Sequence, residues 1–197
     1  MTIDRSRLLE AAARVYGEFG FRGATTRRIA DVAQVNEITL FRHFGSKESL
    51  IDEALRNSMG DWRLPPLPDV PQDPLAELTS WCTAVLDHLR RHRGLIRRVM
   101  SERDERPAVA PCAGTGPIRA AQELRRYVER LPRPDGAATA ISMLMAALFA
   151  DAMGRELMPA MYPQPADRAA AAYVVLFLRA LGAETLSPVS GNGAEHP

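Results

Sequence analysis

The sequence predicts an all-α protein, with a small N-terminal helical unit and a larger helical domain behind it. Three observations carry this expectation. Apolar residues recur at helical spacing in segment after segment from Leu8 to Leu181. No segment shows the apolar-polar alternation bounded by hairpin turns that marks strands, and no fixed-period repeat appears. Prolines 65, 66, 68, 71 and 74 crowd into one short stretch, Asp61 to Pro74, which divides the chain.

Leu8, Leu9, Ala12, Val15, Tyr16 and Phe19 fall on one side of a first helix, which Gly20 is placed to stop. Thr25 can cap a second helix running through Val32, with Ile29 and Val32 inward. After a short turn at Ala33 to Val35, Asn36 caps a third helix. Its Leu40 and Phe44 face the core, while Glu37, Ile38, Arg42 and His43 stay outside. Gly45 ends it, and Ser46 caps a fourth helix with Leu50, Ile51, Ala54 and Leu55 inside.

Beyond the prolines, Asp73-Pro74 launches a helix to about His92, since proline is well placed at a first helical position. Gly94 separates it from a shorter helix, Leu95 to about Asp104. Pro107 to Pro117 reads as a loop and Ile118 to Leu131 as an amphipathic helix. Asp135 caps a long Ala- and Met-rich helix ended by Pro159, and a last helix runs from about Ala166 to Leu181. The organisation expected is therefore 1–46 as a three-helix unit, 47–60 as a connecting helix, 61–73 as a proline-rich connection and 74–182 as a helical domain. The tail, 183–197, has nothing with which to build a core.

The composition is that of a globular protein, with 46% hydrophobic and 25% charged residues over 197 positions. A net charge of +1 gives no global attraction to nucleic acid, so any basic site has to be local. Two cysteines, Cys82 and Cys112, make no disulfide framework and no metal-ligand spacing, so no metal or cofactor is expected. Residues 1 to 20 are too charged for a signal peptide, and the apolar stretch Ala137 to Ala150 falls short of the ~20 residues of a bilayer span. The expectation is a cytoplasmic protein with no membrane partner. No GxSxG, HExxH, P-loop or dinucleotide glycine pattern is present, so enzymatic chemistry has no support.

Three short helices with a tight turn between the second and third form a helix-turn-helix, whose third helix suits the DNA major groove. Topology alone leaves a plain structural helix pair equally open. The wording of residues 8–50, LLEAAARVYGEFGFRGATTRRIADVAQVNEITLFRHFGSKESL, resembles the DNA-binding domain of the TetR family throughout, over about a quarter of the chain. It departs at two places. Gln34 stands in the turn where the family usually has glycine, and Phe41 where it usually has tyrosine, a change that removes a phosphate-binding hydroxyl.

The resemblance implies a sequence-specific transcriptional regulator, a repressor released from a palindromic DNA operator by a small effector, and acting as a homodimer. Thr25, Thr26 and Lys47, at or beside helix N-termini, then suit phosphate oxygens, as does His43 from its outward position on the third helix, and Asn36 and Phe41 fall within the same DNA-binding set. Base reading falls to Arg27, Glu37, Ile38 and Thr39. Alternatives stay open for several. Glu37 equally complements the helix dipole, Arg28 equally pairs with Asp31, Ile38 equally packs on the second helix, and Arg42 either reaches a phosphate or sits in solvent.

In the second domain the resemblance implies an effector pocket and a dimer face formed by the last two helices. Pocket candidates are Trp81, Met100, Met143, Phe149, Met153 and Tyr162, because thioethers and rings adapt to apolar or amphipathic ligands, although such residues also serve as plain core. Interface candidates are Ala140, Ala147, Ala150, Gly154, Tyr173 and Phe177, on helices apolar over more than one stripe. A second domain that answers to a protein partner, or only dimerises, is equally compatible with these residues. His88 and His92 read as part of a solvated basic helix end beside Arg90, Arg91 and Arg93.

Overall fold

The computed structural model describes residues 4–60, 62, 64–103, 105, 110–132 and 136–182. The tail from residue 183 and the cap expected at Asp135 lie outside the described residues. Nine α-helices are described, and no strand. They are α1 (Arg5–Gly23), α2 (Thr26–Ala33), α3 (Glu37–Phe44), α4 (Lys47–Gly60), α5 (Pro74–Arg91), α6 (Arg93–Ser101), α7 (Ala110–Val128), α8 (Ala137–Gly154) and α9 (Ala169–Ala180).

The first three helices close around Leu8, Ala12, Tyr16, Ile29, Leu40 and Phe44. Apolar burial on this scale supplies most of the drive for so short a unit, because eight-residue helices are marginal by themselves. α4 packs on α1 on one side and on α7 on the other, and α1 also lies along α6. The second domain is built from α5 packed against α8 and α9, with α7 against α8. At its start Glu77 ties three pieces together: it accepts the backbone N–H groups of Gln72 (3.0 Å) and Asp73 (3.1 Å) and the hydroxyl of buried Tyr127. Burial would raise the Glu77 carboxyl, yet these hydrogen bonds outweigh it and hold it below the usual range.

Several expected boundaries shift for physical reasons. Val32 is 42% exposed, because Ile29, Ala30 and Ala33 already define the buried arc of α2 and Val32 lies to one side of it. Phe19 is also exposed, its ring covered on one face by a guanidinium. The break between α5 and α6 falls at His92, and Gly94 lies inside the first turn of α6. The segment expected as a loop up to Pro117 is helical from Ala110, with Pro117 inside α7. Tertiary packing overrides the local signal there: Gly116 is buried so close to Trp62 that a Cβ would lie 2.3 Å from the indole Nε1. The long helix expected to reach Pro159 ends at Gly154, and a 3-10 turn, Pro159–Met161, follows it. α9 begins at Ala169 rather than 166, and Gly182, at φ 70°, stops it.

α8 is 18 residues long with mean hydropathy 1.5, enough by length and composition to cross a membrane. Here it packs between α5, α7 and α9, and its remaining apolar residues form a groove with α9 described below.

Candidate nucleic-acid interface

The geometry of α2, the turn and α3 follows from three side-chain caps and one strained residue. Thr25 Oγ1 accepts the Arg28 N–H at 3.3 Å, Asn36 Oδ1 accepts the Ile38 N–H at 3.0 Å and Ser46 Oγ accepts the Ser49 N–H at 3.1 Å. Gln34 adopts φ 55°, ψ 46°, the left-handed conformation that glycine takes without cost. Its side chain is held by Arg7, which donates to Oε1 at 2.7 Å, so α1 anchors the turn. Nothing in the local sequence signals this contact, made across 27 positions.

α3 stands on Leu40 and Phe44 and presents its other side to solvent. Ile38 is 60% and Phe41 48% exposed, beside exposed Arg42 and His43. Such an apolar pair on an outward helix face suits thymine methyls and sugar edges, since isolated burial within the chain is not what keeps it there. Thr25, Asn36 and Arg27 are exposed as well, while Thr26, Thr39 and Lys47 are half-buried.

Three of the residues expected at the DNA interface are engaged within the chain. Glu37 accepts a short hydrogen bond from the Thr26 hydroxyl, so both side chains brace α2 against α3. Arg28 pairs with neither Asp31 nor solvent alone: its guanidinium donates to the Gly23 carbonyl at 2.7 Å and lies 4.1 Å over the Phe19 ring. The Lys47 ammonium rests 4.2 Å over the Phe21 ring, at the N-terminus of α4. Arg5, which the sequence did not single out, joins the same region. It donates to Glu53 and to the His43 carbonyl at 3.2 Å, and covers the Phe44 ring at 4.4 Å.

Residues 8–54 match the family model described as bacterial regulatory proteins of the tetR family. The transcriptional repressor KstR2 of Mycobacterium tuberculosis is 36% identical over 95 residues, 47% of either chain. Residues 8–54 are thus similar to the DNA-binding domain of TetR-family regulators. KstR2 of Rhodococcus jostii is 46% identical over 57 residues, 29% of this chain and 28% of that one. The chain thus spans about half or less of the length of the curated relatives it matches. Likeness in fold covers more of the chain than likeness in sequence. A crystal structure of a transcriptional regulator from Rhodococcus sp. Rha1 has a TM-score of 0.72 at 22% identity, covering 90% of this chain and 97% of that one. One of a TetR-family regulator from Mesorhizobium loti has 0.69 at 18% identity, covering 89% and 95%.

Beside the second domain an apolar cavity of about 180 Å³ is lined by Met59 of α4, His88 and Leu89 of α5, and Ile96, Val99 and Met100 of α6. His92, Trp62, Pro117 and Phe149 complete it. Of the expected pocket residues it takes Met100 and Phe149. Trp81 is instead buried in the core, its indole N–H without a partner among the described residues. Met153 packs on the core and offers its carbonyl to Arg97. Tyr162 lies against Gly154 and donates to the Ala150 carbonyl at 2.8 Å. Met143 points out to the α8–α9 groove.

The histidines correct another expectation. His88 is buried, and Trp62, His88 and His92 form a ladder of rings with centroids 4.8 and 4.4 Å apart. The Nδ1 of His92 lies 2.9 Å from the His88 carbonyl, which only accepts, so Nδ1 carries a proton. Helical spacing placed the two histidines on one face but could not say which face was inward.

The groove between α8 and α9, about 160 Å³, is lined by Ala140, Met143, Ala147, Tyr173, Leu176 and Phe177, among others. Four of the six expected interface residues lie there. Ala150 is exposed but does not line it, and Gly154 is buried under its own chain's Tyr162. A further hollow of about 270 Å³, between Leu67, Asp69 and the arginine face of α7, is polar and includes the Arg130–Asp69 ion pair at 3.0 Å, so it reads as a solvated cleft. Among the described residues no cluster of His, Cys, Asp and Glu is fit to hold a metal ion.

Proposed function

We propose that this protein is a cytoplasmic, homodimeric DNA-binding repressor, released from a palindromic operator by a small apolar or amphipathic effector held in the cavity of α4 to α8. The observation that carries the reading is α3: a capped helix on a buried Leu40–Phe44 base, with Ile38, Phe41, Arg42 and His43 facing outward between the N-termini of α2 and α4. Helix N-termini accept phosphates, and the outward face between them reads base edges. Lys47 and the helix N-termini fix the register. Arg27, Ile38 and Thr39 read sequence, while Glu37 and Thr26 brace the reading helix.

The dimer would close the α8–α9 groove, where Met143 is 67% and Leu176 62% exposed. A large exposed apolar patch is what a subunit interface leaves on an isolated chain. The effector reading rests on the apolar walls of the cavity, with the His88 and His92 rings among them, which suit a compact apolar or amphipathic molecule.

Selection of bound fragments from genomic DNA, followed by footprinting, tests the proposal. Expected are two protected half-sites related by a dyad, their centres about 34 to 36 Å apart or a multiple of that. Equal affinity for an isolated half-site and for the full site would overturn the dimeric reading.

A further inference from the structure

The wall of the cavity is continuous with the support of the interface. Ile96, Val99 and Met100 on α6 line the cavity, and Glu102 follows directly at the end of that helix. The Glu102 carboxylate accepts the Phe21 N–H, at 3.1 Å to Oε1 and 3.4 Å to Oε2, and the Tyr16 hydroxyl at 2.8 Å to Oε2. One turn earlier on α6, Arg98 donates to the Glu18 carbonyl at 3.3 Å. The chain crosses this point through Gly20, at φ 67° and ψ −177°, where a Cβ would stand 2.4 Å from Glu102 Oε1. Glycine at this position lets the carboxylate at the end of α6 approach the backbone of the α1 junction closely. On the far side of the junction, the Phe21 ring carries the Lys47 ammonium at 4.2 Å.

We propose that Glu102 is the positioning residue through which the state of the cavity reaches the DNA face, by holding the Phe21 backbone and so the ring that sets Lys47. The proposal rests on the reading of the cavity as an effector site and of Lys47 as a phosphate contact. The carboxylate is a strong acceptor for two donors on the DNA-binding unit, and it sits at the end of α6, which supplies Ile96, Val99 and Met100 to the wall of the cavity. An occupant that displaces α6 moves these acceptor atoms directly. Coupling between sites needs an element whose position both can bias, and α6 with its terminal Glu102 meets that requirement with named contacts.

A double-mutant cycle tests it. Leu89→Phe fills the cavity from α5, an element that takes no part in the Glu102 contacts, and Phe149→Trp fills it from α8 should the first variant fail to fold. In the native background the filled variant is expected to bind the selected DNA fragment about tenfold more weakly. In a Glu102→Ala background the same filling is expected to cost less than about twofold. Should Glu102→Ala fail to fold, Tyr16→Phe removes one donor and keeps the ring, and it replaces Glu102→Ala in the cycle, where filling should then cost about threefold. Hydrogen exchange at the Phe21 amide, measured without DNA, should accelerate about tenfold in Glu102→Ala and in the filled variant alike, while α8 amides keep their protection. The same loss of affinity on filling in both backgrounds, or a Phe21 amide indifferent to filling, would overturn the proposal. A protein that binds no DNA at all refutes the regulator reading, and the exchange measurement still decides the coupling.

Discussion

Asp151 has no solvent exposure, yet it sits in a site that keeps it charged. Arg90 and the Tyr173 hydroxyl donate to it at 3.0 and 2.8 Å, and Arg155 grips it from the next turn of chain. Burial would raise its carboxyl, but Arg155, Tyr173 and Arg90 outweigh that and hold it below the usual range. A group whose pKa is lower folded than unfolded stabilises the fold above its unfolded value, about 3.9, and loses that contribution as pH falls through the folded one. Asp151→Asn is therefore expected to cost about 3 kcal/mol at pH 7, the lower end for a broken buried pair, because Arg90 and Arg155 keep 25% and 17% of their side-chain exposure. Urea unfolding should also show a flatter fall in stability below pH 4 in the variant, and an unchanged fall would mean that another group titrates there. At the DNA face the expectations differ by residue. Lys47→Ala should weaken binding about equally across operator variants and lower the salt slope by about 1, whereas Arg27→Ala or Ile38→Ala should relax preference at particular base pairs. Quantitative binding to a set of single-base operator variants separates these outcomes, and a uniform loss for Arg27→Ala would reverse its assignment. The sequence marked which side of α3 faces out, since period and caps are local. It could not show that Glu37 is taken up by Thr26 or Gln34 by Arg7, because those partners meet only when the helices pack.

Gly45 ends α3 while Gly20 marks a kink inside α1, and the difference between the two glycines is measurable. Gly45 has φ 76° with nothing within 4 Å of a built Cβ, while Gly20 has φ 67° and would drive a Cβ into Glu102. Gly45→Ala should cost about 1 kcal/mol for the backbone alone. Gly20→Ala should cost more, about 1–3 kcal/mol, since it adds a steric displacement to a conformation that only glycine adopts readily. Urea midpoints at constant m-value compare the two directly. Equal losses would mean that the carboxylate yields without penalty. Elements bounded by such local signals were legible: Thr25, Asn36, Ser46 and Asp73 all cap the helices expected of them. Pro117 misled, because a proline reads as a break while the burial of Gly116 against Trp62 favours continuing the helix. Packing of that kind joins residues more than fifty positions apart and leaves no local trace.

In the whole molecule, the cavity and the helical unit that carries α3 are joined by packing, with α1 lying along both α4 and α6. The near-uniform apolarity of α8 and α9 pointed correctly to helices needed on more than one side, although it could not distinguish the side facing α5 from the groove left open beside Met143 and Leu176. If an effector in the cavity favours a dimer whose two α3 helices no longer match successive grooves, it does so only through unequal affinity for the two geometries. Ten- to hundredfold weaker DNA binding then requires a coupling of about 1.4 to 2.7 kcal/mol, an ordinary allosteric magnitude. Reciprocity fixes the other half of the cycle: saturating operator DNA must weaken effector binding by that same factor. Trp62, in the cavity wall, is the reporter suited to finding such a compound, since Trp81 is enclosed in the core. Calorimetric titration of a compound that quenches Trp62, with and without the selected operator, is expected to give dissociation constants differing by the factor seen in DNA release. The same constant in both titrations would reject coupling for that compound, however tightly it filled the cavity.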